Sequence, residues 1–171
     1  MGPFVVNVAD LVHRPGARRR EQVSGTLSGL RVVDTSVPDT GQVVVDALLE
    51  WVSDGILASG VTTAPWVGEC RRCLRPVGGD LAVDFRELFE DEPRDGDSYP
   101  LRKDHLDLSP LAREALLLDL PLAPICADEC QGLCPSCGAD RNVGHCDCQG
   151  DPGDPRWAAL DVLRGDTGPN D

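Results

Sequence analysis

The sequence predicts an α+β fold, in which an antiparallel β meander packs on one main helix and a cysteine-rich module follows toward the C-terminus. Two β-rich runs flank Ser53-Asp54-Gly55, a hairpin signal because Asp-Gly readily takes the backbone conformation of a tight turn. Asp80 to Phe89 alternates polar and apolar residues with period two, as a half-buried strand does. Leu106 to Leu122 carries a helix start followed by a leucine-rich body.

In chain order, Phe4, Val5, Val6 and Val8 read as a first strand, and Asp10-Leu11-Val12 as a turn of helix stopped by Pro15-Gly16. The basic group Arg18–Arg20 follows, and it reads as a solvated loop. Val32 to Pro38 is strand and loop, punctuated by Gly25, Gly29 and Gly41. The meander then begins, with Val43–Val52 pairing with Ile56–Val67. Asp46-Ala47-Leu48-Leu49-Glu50 also has helix character, so a helix over part of this region is the competing reading. Pro65 has no N–H to give to a ladder and implies an edge or a bulge. The third strand is Asp80–Phe89, reached through the knuckle CRRCLRPVGG. Glu90 to Asp97, EDEPRDGD, is an acidic loop, and no apolar residues surround its carboxylates to raise a pKa for acid–base work.

For the helix, Ser109 is the expected N-cap and Pro110 the first helical residue. Leu111, Ala115, Leu118 and Leu122 share one face, broadened by Leu116, Leu117 and Leu120, and the helix ends before Pro121. Burying four or five leucines against the sheet would contribute about 1.5–3 kcal/mol each before entropy. Pro121 and Pro124 then lead into Cys126. The expected organisation is a core over residues 1–125, a cysteine module over 126–150, and a short docking helix with a frayed tail over 151–171. That helix opens at Asp154-Pro155 and docks through Trp157, Leu160 and Leu163.

Six of the eight cysteines lie between Cys126 and Cys148, and the other two, Cys70 and Cys73, sit in the knuckle. Cys70/Cys73 and Cys134/Cys137 are Cys-x-x-Cys pairs, the spacing at which backbone amides support two thiolates on one tetrahedral zinc ion. Eight thiols suffice for two four-thiolate Zn2+ sites. Loop reach favours a local set, Cys134, Cys137, Cys146 and Cys148, beside a long-range set, Cys70, Cys73, Cys126 and Cys130. The rival partition joins Cys126, Cys130, Cys134 and Cys137, leaving Cys70, Cys73, Cys146 and Cys148. His145 could replace one cysteine but reads as a loop residue. Disulfides would need an oxidising compartment, and the N-terminal MGPFVVNVADLVHRPG has no secretory pattern, so a cytoplasmic protein is expected. A redox Cys-x-x-Cys opens a helix, whereas this knuckle runs into Leu74, Arg75, Pro76 and Gly78-Gly79.

The 171 residues suit one domain with a small metal module. Aromatic residues are only 4% of the chain, so its core must rest on Val, Leu and Ala. No apolar run approaches the roughly 18 residues of a membrane span. A formal charge of −13 opposes non-specific nucleic-acid binding. Against it stand Arg14, Arg18, Arg19 and Arg20 and the knuckle's Arg71, Arg72 and Arg75, the candidates for phosphate contact.

The CRRCL knuckle, the helix DLSPLAREALLLDLPLAPIC, the segment CQGLCPSCG with its following CDC, and the terminal DPRWAALDVL together resemble the YceD family, large ribosomal RNA subunit accumulation proteins. The likeness covers roughly Val43 to Leu163, and ADLVHRPGARRRE fits the same family. It implies a cytoplasmic, non-enzymatic factor in accumulation of large-subunit ribosomal RNA, with no small-molecule substrate. Its partner would be that RNA or its precursor particle, a basic ribosomal protein, or both. Charge balance favours the basic protein or a mixture. Two other functions compete: a zinc-ribbon adaptor unrelated to ribosomes, and a thiol redox protein.

Overall fold

The computed structural model describes residues 2–53, 55–93 and 96–148, together with Arg156 and Leu160. The expected docking helix and tail therefore fall outside the described residues apart from those two, of which Leu160 is 49% exposed.

Among the described residues the regular structure is mostly strand, curled into one sheet that carries one α-helix. The strands are β1 (Val5–Asn7), β2 (Arg18–Gly25), β3 (Arg31–Val32), β4 (Thr35–Ser36), β5 (Val43–Trp51), β6 (Gly55–Glu69), β7 (Pro76–Glu90), β8 (Tyr99–Arg102) and β9 (His105–Asp107). Helix α1 spans Ser109–Asp119. The sheet runs β1-β9-β8-β7-β6-β4-β3, and β5 also pairs with β6 and carries β2 on its outer side.

The expected meander is present as β5-β6-β7, with Trp51 opposite Ile56 and Ile56 opposite Phe89. Strand, not helix, occupies Asp46–Glu50, because every second residue from Val43 to Trp51 is buried. The meander is only the centre of the sheet, however. Six further strands extend it, and β8 runs parallel to β7, so the sheet is mixed. Pro65 sits between Thr63, the last residue of that ladder paired with β5, and Val67, which pairs with β4; it occupies a local edge of β6.

Three expectations are corrected, for Arg18–Arg20, for the helix cap and for the helix face expected at Leu111, Ala115, Leu118 and Leu122. Arg18–Arg20 lie not in a solvated loop but on β2, where Arg18 faces Glu50 and Arg20 faces Leu48. An edge strand at the rim of the core needs little apolar side chain, so its sequence resembles a loop. Ser109 is not the N-cap: Leu108 holds that place, and the Asp107 carboxylate accepts from the Ser109 amide at 2.9 Å and hydroxyl at 2.6 Å. The buried face of α1 is accordingly Leu108, Leu111, Ala112, Leu116 and Leu120, whereas Leu118 and Leu122 are 81% and 69% exposed.

That face packs on β6 and β7. The core lies between, lined by Val43, Val45, Ala47 and Leu49 of β5, Ile56 and Ala58 of β6, and Phe85 and Phe89 of β7, and it is closed by Phe4 and Val8. Buried Thr35 donates its hydroxyl to the Val32 and Pro121 carbonyls at 3.0 and 2.9 Å, tying β4 to the end of α1. From there the chain returns across the far end of β6 and β7.

Candidate metal centres

Cys70 to Arg75 turn the chain from β6 into β7. The Leu74 amide donates to the Cys70 carbonyl and the Cys70 amide to the Arg75 carbonyl, both at 2.8 Å, and Leu74 adopts φ 60°. The same turn recurs downstream. The Gly138 amide donates to the Cys134 carbonyl and the Cys134 amide to the Ala139 carbonyl, again at 2.8 Å, and Gly138 has φ 72°. Two copies of one knuckle thus present Cys70/Cys73 and Cys134/Cys137.

The segment after α1 completes each set. The Arg71 amide donates to the Pro124 carbonyl at 2.9 Å, which brings Cys126 and Cys130 to the first knuckle. Cys70, Cys73, Cys126 and Cys130 form one group, and Cys134, Cys137, Cys146 and Cys148 the other, with the sulfurs of each group within 4.8 Å of one another. Cys146 and Cys148 are not gathered with the first knuckle, as the rival partition required.

The donor chemistry fits a thiolate-binding metal. Cys70 Sγ is 3.8 Å from Cys130 Sγ, and Cys73 Sγ is 3.6 Å from Cys126 Sγ. A tetrahedron with metal–sulfur bonds of about 2.3 Å separates its sulfurs by about 3.8 Å. A disulfide would hold them at about 2 Å. Burial opposes ionisation of Cys70, yet amides including those of Arg72 and Cys73 outweigh it and bring the thiol down to about 6. In the second set the Cys137 and Ser136 amides bring Cys134 to about 6. Neighbouring sulfurs, Cys130 and Cys137 foremost, push Cys126 and Cys148 up to about 12. Each group therefore favours one thiolate and resists the next, a repulsion that a divalent cation would relieve.

The two groups are joined by side chains that cysteine spacing does not reveal. Arg75 donates from Nε to Asp140 Oδ2 at 2.8 Å. Asn142 accepts from the Gln131 amide at 2.8 Å and points Nδ2 at Cys130 Sγ, 3.6 Å away. Gly132 fits against the first knuckle because a Cβ there would meet the Arg72 carbonyl at 2.9 Å. The only sequence sign of this joint is the polar Asp140-Arg141-Asn142 after the second knuckle.

The candidate phosphate-binding arginines form no single patch. Arg18–Arg20 lie beside the β5–β6 hairpin, while Arg71, Arg72 and Arg75 lie beyond the other end of β6. Strand rise makes that separation roughly 40 Å. Several already have partners: Arg19 pairs with Asp10 and Glu21, and Arg20 lies 4.0 Å from Asp46. Arg72 donates to the Asp128 and Cys130 carbonyls at 3.2 and 3.0 Å. Arg14, Arg18 and Arg71 are exposed. Among the described residues no helix is long and apolar enough to cross a membrane.

The family described as "Large ribosomal RNA subunit accumulation protein YceD" matches residues 58–164. An uncharacterised protein of Mycobacterium tuberculosis is 36% identical, over 96% of this chain and 86% of its own length. One from Mycobacterium leprae is 34% identical, over 97% and 80%. The Arabidopsis thaliana protein named "Large ribosomal RNA subunit accumulation protein YCED homolog 1, chloroplastic" is 30% identical, over 65% of this chain and 43% of its own. No solved structure matches the chain significantly.

Proposed function

We propose, from the premise that this chain belongs to the YceD family of large ribosomal RNA subunit accumulation proteins, that it supports accumulation of large-subunit ribosomal RNA as a non-enzymatic factor of the cytoplasm. The observation that carries this reading is the family match over residues 58–164, which spans both knuckles and α1. In this proposal Cys70, Cys73, Cys126 and Cys130 hold one Zn2+ and Cys134, Cys137, Cys146 and Cys148 a second. Zinc has no redox chemistry and would supply cross-links between distant segments, fixing the returning chain against β6 and β7. Thiols committed to a closed set are poor nucleophiles, which favours an adaptor over a thiol oxidoreductase.

A net charge of −13 favours a basic ribosomal protein as the direct partner, with the RNA or its precursor particle reached through it or through the exposed Arg14, Arg18 and Arg71. Depletion followed by sucrose-gradient profiling tests the function. A fall in large subunits and their RNA, restored by the wild-type chain, is the expected result. An unchanged profile would instead favour an adaptor unrelated to ribosomes.

A further inference from the structure

Val83, Phe85, Glu87 and Phe89 alternate along one face of β7, and that face points toward the core. Glu87 pairs with Ala58, which is fully buried, so a carboxylate occupies a register position that the rest of the face fills with apolar groups. The position is tolerated because α1 leaves an open groove beside β7, of about 290 Å³. Its floor is apolar, and Leu118 stands on its lip at 81% exposure. Glu87 on the inward face of β7 and Glu114 and Asp119 on α1 are its acids, whereas Asp84 and Arg86 are the alternate residues of β7, and Asp84 also lines a separate hollow with Arg20 and Asp46. Tyr99 donates its hydroxyl to Glu114 at 2.6 Å, which fixes that carboxylate in place. Burial first, and the charge of Glu114 second, raise the Glu87 carboxyl above its usual range.

We infer that the groove between β7 and α1 docks a basic segment of a partner protein, with an aliphatic side chain on Leu118 and a lysine or arginine between Glu87 and Glu114. Charge complementarity around the apolar Val83, Phe85, Leu111 and Ala115 favours that occupant. A cation there would relieve the repulsion between the two carboxylates, whereas RNA phosphate would meet Glu87, Glu114 and Asp119. The partner's class, a basic ribosomal protein, rests on the function proposed above; the groove's preference for a cationic segment does not.

The test titrates the full, zinc-loaded chain with a helical peptide of lysine, leucine and alanine and follows backbone amide shifts. Shifts confined to β7 near Val83–Glu87 and to α1 near Glu114–Asp119 are expected. The double variant Glu87→Lys, Glu114→Lys should bind at least about tenfold more weakly. Asp39→Lys, Asp104→Lys, with the same change in charge but outside the groove, should bind like wild type. Leu118→Ser, at an exposed side chain, should also weaken binding while leaving the fold intact. Shifts scattered over the acidic surface, equal losses in both double variants, or the same amides moved by a single-stranded RNA oligonucleotide would overturn the inference. In depleted cells, full rescue by the groove variant would overturn the groove and leave the function standing. If depletion itself had no effect, the proposed function would fall, and the peptide titration would still decide the groove.

Discussion

Arg75 and Asp140 lie 65 residues apart in the chain and are bound through Arg75 Nε to Asp140 Oδ2 at 2.8 Å, which fastens one cysteine knuckle to the other. Exposed ion pairs usually contribute little. Asp140, however, also accepts from the Asn142 amide and side chain, and Asn142 in turn reaches Cys130 Sγ. Removing Asp140 therefore loosens a support of the first cysteine set from within the second. Asp140→Ala and Asn142→Ala should each speed zinc release to a chelator from the set containing Cys130. Arg14→Ala, outside the joint, should not. Release rates followed with a colorimetric chelator decide it.

Gly60 faces Ala47 in the β5–β6 ladder, and a Cβ built on it would lie 1.9 Å from the Asp46 carbonyl oxygen. The three nearest atoms are all β5 backbone, at Asp46 and Ala47, so no flexible side chain is there to give way. Gly60→Ala should destabilise the fold by about 2–4 kcal/mol, within the range of severe steric changes. Denaturant melts of variant and wild type measure it.

Leu74 and Gly138 occupy the same place in the two knuckles, with φ 60° and 72°. A leucine in the left-handed region is strained by about 1 kcal/mol, and glycine is not. Because Leu74 is 59% exposed, little packing is lost on shortening it. Leu74→Gly should leave stability unchanged or raise it by up to about 0.5 kcal/mol, after glycine's backbone entropy offsets part of the relief. Gly138→Ala should lower it by about 1 kcal/mol. Thermal melts of the metal-loaded protein compare the two.

Much of this architecture is legible in the residues. The hairpin follows from Asp54-Gly55 between β-rich runs, and the two thiol sets from how far each loop can reach. What escapes reading has physical causes. Positions 111, 115, 118 and 122 and positions 108, 112, 116 and 120 both read as apolar helical stripes, and with leucine or alanine at every one of them the sequence alone does not say that Leu118 and Leu122 are the ones left exposed. On β2 the sequence RRREQVSG hides a strand because its neighbour β5, not its own side chains, supplies the apolar surface. Glu87 falls in phase with Leu81, Val83, Phe85 and Phe89 in the sequence, but only the register with Ala58 and the groove beside α1 show how a carboxylate is accommodated there.

Glu87 should also leave a pH signature. Its carboxyl is raised by burial and by Glu114, so the folded state holds that proton to a higher pH than the unfolded chain does. Stability therefore falls as pH rises from the unfolded value, about 4.3, through the raised folded one, and then levels off. Glu87→Gln removes this loss. It should match wild type near pH 4 and exceed it at neutral pH, by less than about 0.5 kcal/mol because solvent screens a partly exposed group. The difference between the two melting curves across pH isolates the effect, since any loss of metal is common to both.

Zinc removal should act locally. Cys70, Cys73 and Cys130 form a cluster with Val77 and Leu133 that is separate from the large core of β5, β6, β7 and α1. Structural metal sites couple binding to folding, but only of the segments whose burial depends on the ion. Chelation should therefore release amide-exchange protection over residues 70–78 and 126–148, while the centre of the β5–β6–β7 ladder stays protected. Native mass spectrometry should show two zinc ions per chain before treatment and none after. Global loss of protection would mean that the sheet also depends on the metal. A protein that is metal-free as purified, with both segments protected, would remove zinc from the account of this fold.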